Sequence, residues 1–185
     1  MATGWKRIAR RIRVPLGFLF AVFFFWLARP SWMFLGISLL LVVPGLWLRG
    51  YASGYVKKNA ELTVTGPYAH TRNPLYLGSM LIAAGFALAA RSVWIAVVLI
   101  VLFAVIYIPV IRGEEEYLRS AFSEFDSYAA RVPRLIPRIT AVRQRGGPGG
   151  VFSGALYQKH REYNALLGAM GMYAALILKL LFLAR

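Results

Sequence analysis

The stretch from Thr65 to Gly78 reads T-G-P-Y-A-H-T-R-N-P-L-Y-L-G and gathers the groups best able to do polar chemistry in this chain. Arg72 is a permanent cation whose planar fork of donors can hold a carboxylate, and Asn73 offers both a donor and an acceptor. Tyr68 and Tyr76 add aromatic faces with hydroxyls. Further along, Arg112-Gly113 leads into three consecutive carboxylates, Glu114, Glu115 and Glu116. Carboxylates of this kind hold an ammonium or accept from ribose hydroxyls. Packed together, the two stretches suit a zwitterionic ligand that also carries an aromatic base.

Other chemistries lack their residues. The chain has no cysteine, which removes disulfides, thiolate metal sites and cysteine nucleophiles. Its two histidines, His70 and His160, are isolated and far apart, so no metal-ligand set is expected. Neither a local Ser-His-Asp signature nor a Walker lysine loop is present.

The elements that must position these groups are apolar. Of 185 residues 59% are hydrophobic, and the mean hydropathy of +0.59 belongs to the membrane class. Lys and Arg number 22 against 7 Asp and Glu, a formal charge of +15. Such an excess suits nucleic acid or an anionic lipid surface, and the apolar runs decide for lipid. A basic tail carrying Lys6, Arg7, Arg10, Arg11 and Arg13 precedes a run from Val14 to Ala28. Arg29-Pro30 then leads straight into a second run, Trp32 to Leu48, so the first run reads as an uncleaved span rather than a secretory signal. Pro74 to Ala90 and Ser92 to Ile111 predict a second hairpin, and Asn164 to Ala184 a last span. Asn73-Pro74 fits helix entry, with Asn73 as N-cap and Pro74 at the first helical position.

Between these spans the apolar residues Leu118, Phe122, Phe125 and Tyr128 recur at three-to-four spacing, which predicts an amphipathic surface helix over Tyr117 to Arg131. The run Val132-Pro133-Arg134-Leu135-Ile136-Pro137 ends it, and Gly146 to Gly150 reads as a hinge. The expected fold is therefore all-α: an integral membrane bundle of about five transmembrane helices plus a cytoplasmic amphipathic helix. Its parts are a tail and helix hairpin over 1–59, a core over 60–138, a basic Gly-rich hinge over 139–163 and a C-terminal helix over 164–185. Nearly all Lys and Arg lie in the tail, in Arg49 to Arg72 and in Arg112 to Arg161, which places the N-terminus and both polar motifs in the cytoplasm.

The pattern G-P-Y-x-x-x-R-N-P-x-Y-x-G at residues 66–78, then E-E-x-x-L-x-x-x-F at 114–122 and V-P-R-x-I-P at 132–137, resembles the isoprenylcysteine carboxyl methyltransferase and phospholipid methyltransferase superfamily, which is phosphatidylethanolamine N-methyltransferase-like. The match covers roughly Ala60 to Pro137. Asn73 stands where the family often has His, and Ser123 follows Phe122 where a glycine is usual. The resemblance implies an integral membrane methyltransferase using S-adenosylmethionine, a zwitterion with an aromatic base. It places Tyr68, Arg72, Asn73, Pro74, Tyr76, Glu114 and Glu115 around that cofactor, with Glu115, Arg72 and Tyr76 nearest the chemistry. Arg131 and Arg134, together with Tyr128, would close the pocket or meet an anionic headgroup. Membrane lipids are the expected partners, with an amine-bearing phospholipid as preferred acceptor. A prenylated cysteine carboxylate, a small thiol or an isoprenoid acid are the alternatives within the class. Two readings from other classes are an NADPH-dependent sterol-type reductase and a non-catalytic lipid-binding protein.

Overall fold

Apolar segments of this length satisfy their backbone amides in lipid by coiling into helices. The computed structural model describes residues 19–57, 60–142 and 150–183, and every regular element among them is helical. Residues 19–27 form α1, and α2 spans Trp32–Ser53. A 3-10 turn at Gly66–Ala69 leads to α3, Pro74–Ala90. Next come α4, Val93–Ala121, and α5, Phe125–Ala129. Two C-terminal helices follow, α6 over Gly154–Lys159 and α7 over Tyr163–Leu183.

Among the described residues three segments are long and apolar enough to cross a membrane: Trp32–Ser53, Val93–Ala121 and Tyr163–Phe182. Helix α3 is apolar but shorter, at 17 residues. Of the first expected span only residues 19–27 are described as helix, and its beginning, like the glycines of the hinge up to Gly149, lies outside the described residues.

Helices α2 and α3 approach each other closely, and glycine is the reason. A Cβ on Gly45 would fall 2.8 Å from the Gly78 carbonyl oxygen, and one on Gly78 would fall 2.8 Å from the Gly45 carbonyl oxygen. Backbone therefore meets backbone, as small residues allow between helices in lipid. Gly78 closes the tyrosine-rich motif, so this contact holds the start of α3 against α2. Phe24, Leu35, Val42, Phe86, Ile95 and Leu176 form the buried core. Ser38 Oγ and Tyr173 OH, 2.7 Å apart, join α2 to α7. The Arg29 amide donates to the Ala90 carbonyl at 2.8 Å and ties the two hairpin turns together.

The amphipathic helix expected over Tyr117 to Arg131 is not a separate element. Helix α4 continues through Arg112 and the carboxylates to Ala121, because Glu, Leu, Arg and Ala are good helix formers and nothing there stops them. Pro109 is accommodated by a π-helical turn at Phe103–Tyr107 just before it. The helix ends where Phe122 turns extended, at φ −133 and ψ 115. Phe125, Tyr128 and Val132 then bury themselves with Leu62, Val64, Leu118 and Val142 in a small second core. Within the segment 139–163, α6 covers Gly154–Lys159 and the Ser153 amide donates to the Gly54 carbonyl at 2.9 Å.

Candidate active site

Continuity of α4 decides which carboxylate turns inward. Ile111 and Glu115 are one turn apart on the same face and both are buried, whereas Arg112, Glu114 and Glu116 are exposed. Glu115 is 7% exposed at its side chain and lies 2.7 Å from Arg134 Nη2 and 3.3 Å from Arg72 Nη2. Arg134 Nε donates to both carboxylate oxygens, at 3.2 and 3.0 Å. The Arg134 guanidinium is held above its usual pKa chiefly by the hydrogen bond to Glu115.

Arg134 reaches Glu115 because residues 133–142 lie as a strap along residues 69–73. Pro133 and Pro137 cannot donate and disfavour helix before them, which leaves strap carbonyls for other partners. The Arg72 amide donates to Pro133 O at 2.9 Å, and Asn73 Nδ2 donates to Arg134 O at 3.0 Å. The Thr71 hydroxyl is within reach of Arg134 O and Leu135 O, at 3.2 and 3.1 Å. Arg138 N to His70 O and Val142 N to Ala69 O, both 3.0 Å, complete the seam.

The expected site residues thus separate. Arg72, Asn73, Glu115 and Arg134 are brought together. Asn73 stands at the N-cap of α3 but makes no side-chain cap bond, its amide being diverted to Arg134 O and to Glu115 Oε1 at 3.5 Å. Pro74 is buried at the first helical position. Tyr76 packs edge-on against Tyr107 of the π turn, 5.7 Å between ring centroids. Tyr68 is buried in the 3-10 turn, and its carbonyl accepts the Tyr128 hydroxyl at 2.8 Å. Burial pushes both tyrosines well above their ordinary pKa, so they remain neutral hydroxyls at physiological pH. Tyr128 is therefore a post under the loop. Arg131 donates from its Nε to the Ser127 carbonyl at 3.0 Å and stays exposed, and Glu114 is exposed as well.

The group that sequence reasoning missed is Arg49 with Glu162. Arg49 Nε and Nη2 donate to the two Glu162 oxygens at 3.0 and 2.9 Å, and Arg49 Nη1 donates to Ser79 Oγ at 2.5 Å and Leu75 O at 3.3 Å. The segment opening α7 is thereby tied to the first turns of α3. The available signal was that Glu162 is the only carboxylate after Asp126. Its neutralisation in Glu162→Gln should cost about 2 kcal/mol, the scale of a hydrogen bond to a charged group. Thermal unfolding in detergent would register it, and an unchanged midpoint would mean that Arg49 finds an equivalent partner.

A cleft of about 430 Å³ opens between the end of α2 and this loop, lined by Trp47, Leu48, Tyr51, His70, Thr71 and Pro137 among others. It is mostly apolar, and Trp47 and Tyr51 stack along one side at 5.1 Å. Among the described residues no group of three or more His, Asp or Glu side chains could hold a metal ion.

The phospholipid methyltransferase family profile matches residues 13–124, which include the tyrosine-rich motif and Glu115. The chain belongs to the phospholipid methyltransferase family. It is 41% identical over 109 residues to the cobalt-zinc-cadmium resistance protein CzcN of Cupriavidus metallidurans, across 59% of this chain and 49% of that protein. It is 38% identical over 109 residues to the nickel-cobalt-cadmium resistance protein NccN of Alcaligenes xylosoxydans xylosoxydans, across 59% of this chain and 50% of that protein. The chain spans about half the length of these curated relatives. No solved structure matches it. The strap, Arg134 and Glu162 lie beyond residues 13–124, which the family profile matches.

Proposed function

We propose that this chain transfers a methyl group from S-adenosylmethionine to a lipid or other hydrophobic acceptor, with an amine-bearing phospholipid preferred. The observation that carries this reading is Arg72. Its side chain is 12% exposed, and its Nε is a buried donor with no hydrogen-bond partner among the described residues. A buried donor of this kind calls for an anionic oxygen, and the carboxylate of the cofactor is one. S-adenosylmethionine supplies a methyl already activated on a sulfonium. The protein's tasks are then to orient, to exclude water and to manage one proton. Arg72 and Asn73 would bind the amino-acid end, with Glu115 and Arg134 holding Arg72 and the strap in place. Tyr68 and Tyr128 are kept neutral by burial and both Glu115 oxygens are engaged by arginines, so an amine acceptor would shed its proton to solvent at this polar end of the bundle. The apolar cleft beside Trp47 and Tyr51 supports a lipid acceptor that enters from the bilayer. The distribution of Lys and Arg supports a cytoplasmic position for the site.

Purified protein incubated with methyl-labelled S-adenosylmethionine and separate acceptors tests this directly. Label in phosphatidylethanolamine is the expected result. Label in a prenylated cysteine ester or a small thiol instead would keep the class and replace the acceptor. No label in any acceptor would overturn the reading. Because both relatives are named for metal resistance, metal tolerance of cells carrying active and Arg72→Ala forms is the phenotype to score beside it.

A further inference from the structure

The strap presents a surface that its role at Glu115 does not explain. Ile136 is 82% exposed and Ile139 is 98% exposed, in a segment otherwise pinned along its length. Arg131 and Arg138 are exposed beside them, and the Arg138 guanidinium donates to the Arg131 carbonyl at 2.8 Å, which keeps the two together. All 7 of the chain's Asp and Glu side chains fall within the described residues. Those that form ion pairs do so with Arg49, Lys57, Arg72, Arg119 and Arg134, so Arg131 and Arg138 remain unneutralised there.

The level of the strap along the bundle is set by its contacts. It is bonded to residues 69–73, just before Pro74 opens an apolar helix. Pro137 and Ala141 share a cleft with Trp47 and Tyr51 near the end of a membrane-length helix. Tryptophan and tyrosine collect where bilayer meets water. Exposed isoleucines flanked by unneutralised arginines at that depth match the chemistry of an anionic lipid interface: apolar groups enter the acyl boundary while guanidiniums meet phosphate.

We propose that residues 131–139 are a lipid-docking surface, with Ile136 and Ile139 inserted into the bilayer that the chain itself crosses and Arg131 and Arg138 on anionic headgroups. Arg134 lies between them on the same strap. Docking therefore presses the segment that clamps Glu115 onto the loop carrying Arg72. The inference does not depend on the reaction proposed above.

The absence of cysteine makes the test simple. Ile139→Cys in the full chain carries a nitroxide at an already exposed position, and Asp126→Cys serves as the reference, its native side chain being 69% exposed. Each is placed in nanodiscs of phosphatidylcholine with or without phosphatidylglycerol. The expected result is a label at 139 reached by oxygen and shielded from a water-soluble nickel chelate, with the ratio rising several-fold when phosphatidylglycerol is present. Arg131→Gln with Arg138→Gln should remove that rise. Equal nickel access at 139 and 126 in both discs would overturn the proposal, and so would burial at 139 indifferent to phosphatidylglycerol.

Discussion

Glu115→Ala is expected to destabilise the polar end of the bundle by about 3–5 kcal/mol, the range for removing one partner of a buried ion pair. The loss falls on Arg72, which is 12% exposed and would remain as an uncompensated charge. Arg134 is 46% exposed and can turn to water. The strap would keep its backbone bonds but lose its side-chain anchor, so tryptic cleavage after Arg134 and Arg138 should accelerate. Glu115→Gln retains an acceptor and should fall between wild type and alanine. Removing both charges, in Glu115→Leu with Arg72→Met, should cost less than the sum of the single changes, because neither charge is then left alone. Unchanged unfolding and unchanged cleavage in Glu115→Ala would show that this carboxylate does not hold the strap.

The second large effect belongs to Gly78. A Cβ there would sit 2.8 Å from the Gly45 carbonyl oxygen and 2.6 Å from Arg49 Cγ, so even alanine requires α2 and α3 to part. Gly78→Val should cost about 3 kcal/mol, the upper part of the range for overpacking. It should also loosen the Arg49 bonds to Leu75 and Ser79, which brace the turn bearing Tyr76. The matched control is Gly113→Ala. A Cβ at Gly113 meets nothing within 4 Å, and the position is exposed inside a helix. Alanine there should stabilise by about 0.5–1 kcal/mol through lower backbone entropy in the unfolded chain. Thermal unfolding of the two variants side by side checks both signs. A neutral Gly78→Val would mean that the helix pair is not held by backbone contact.

The limits of the sequence follow from the range of its signals. Helix α3 was legible to the residue, Pro74 to Ala90, because proline marks its first position and Arg91, at φ 51, its end. Helix α4 was not, since the apolar spacing at Leu118, Phe122, Phe125 and Tyr128 carries across the break at Phe122. That error had a consequence for the site: only with α4 continuous does the Ile111 to Glu115 period select Glu115 over Glu114. The meeting of Arg72, Asn73, Glu115 and Arg134 was foreshadowed by motif order, whereas the pairing of Glu115 with Arg72 and Arg134 was not read from the sequence. Arg49 with Glu162 left no local pattern at all, because the partners are 113 residues apart. Tertiary packing alone creates such a pair.

The most direct measurement of the central claim is calorimetric titration of the purified full chain with S-adenosylhomocysteine, the product of methyl transfer, with NADPH run beside it and Arg72→Ala compared. The expected result is micromolar binding of S-adenosylhomocysteine, on the order of 8 kcal/mol, weakened at least tenfold in Arg72→Ala, and no binding of NADPH. Binding of NADPH alone, or S-adenosylhomocysteine affinity indifferent to Arg72, would contradict the site described above.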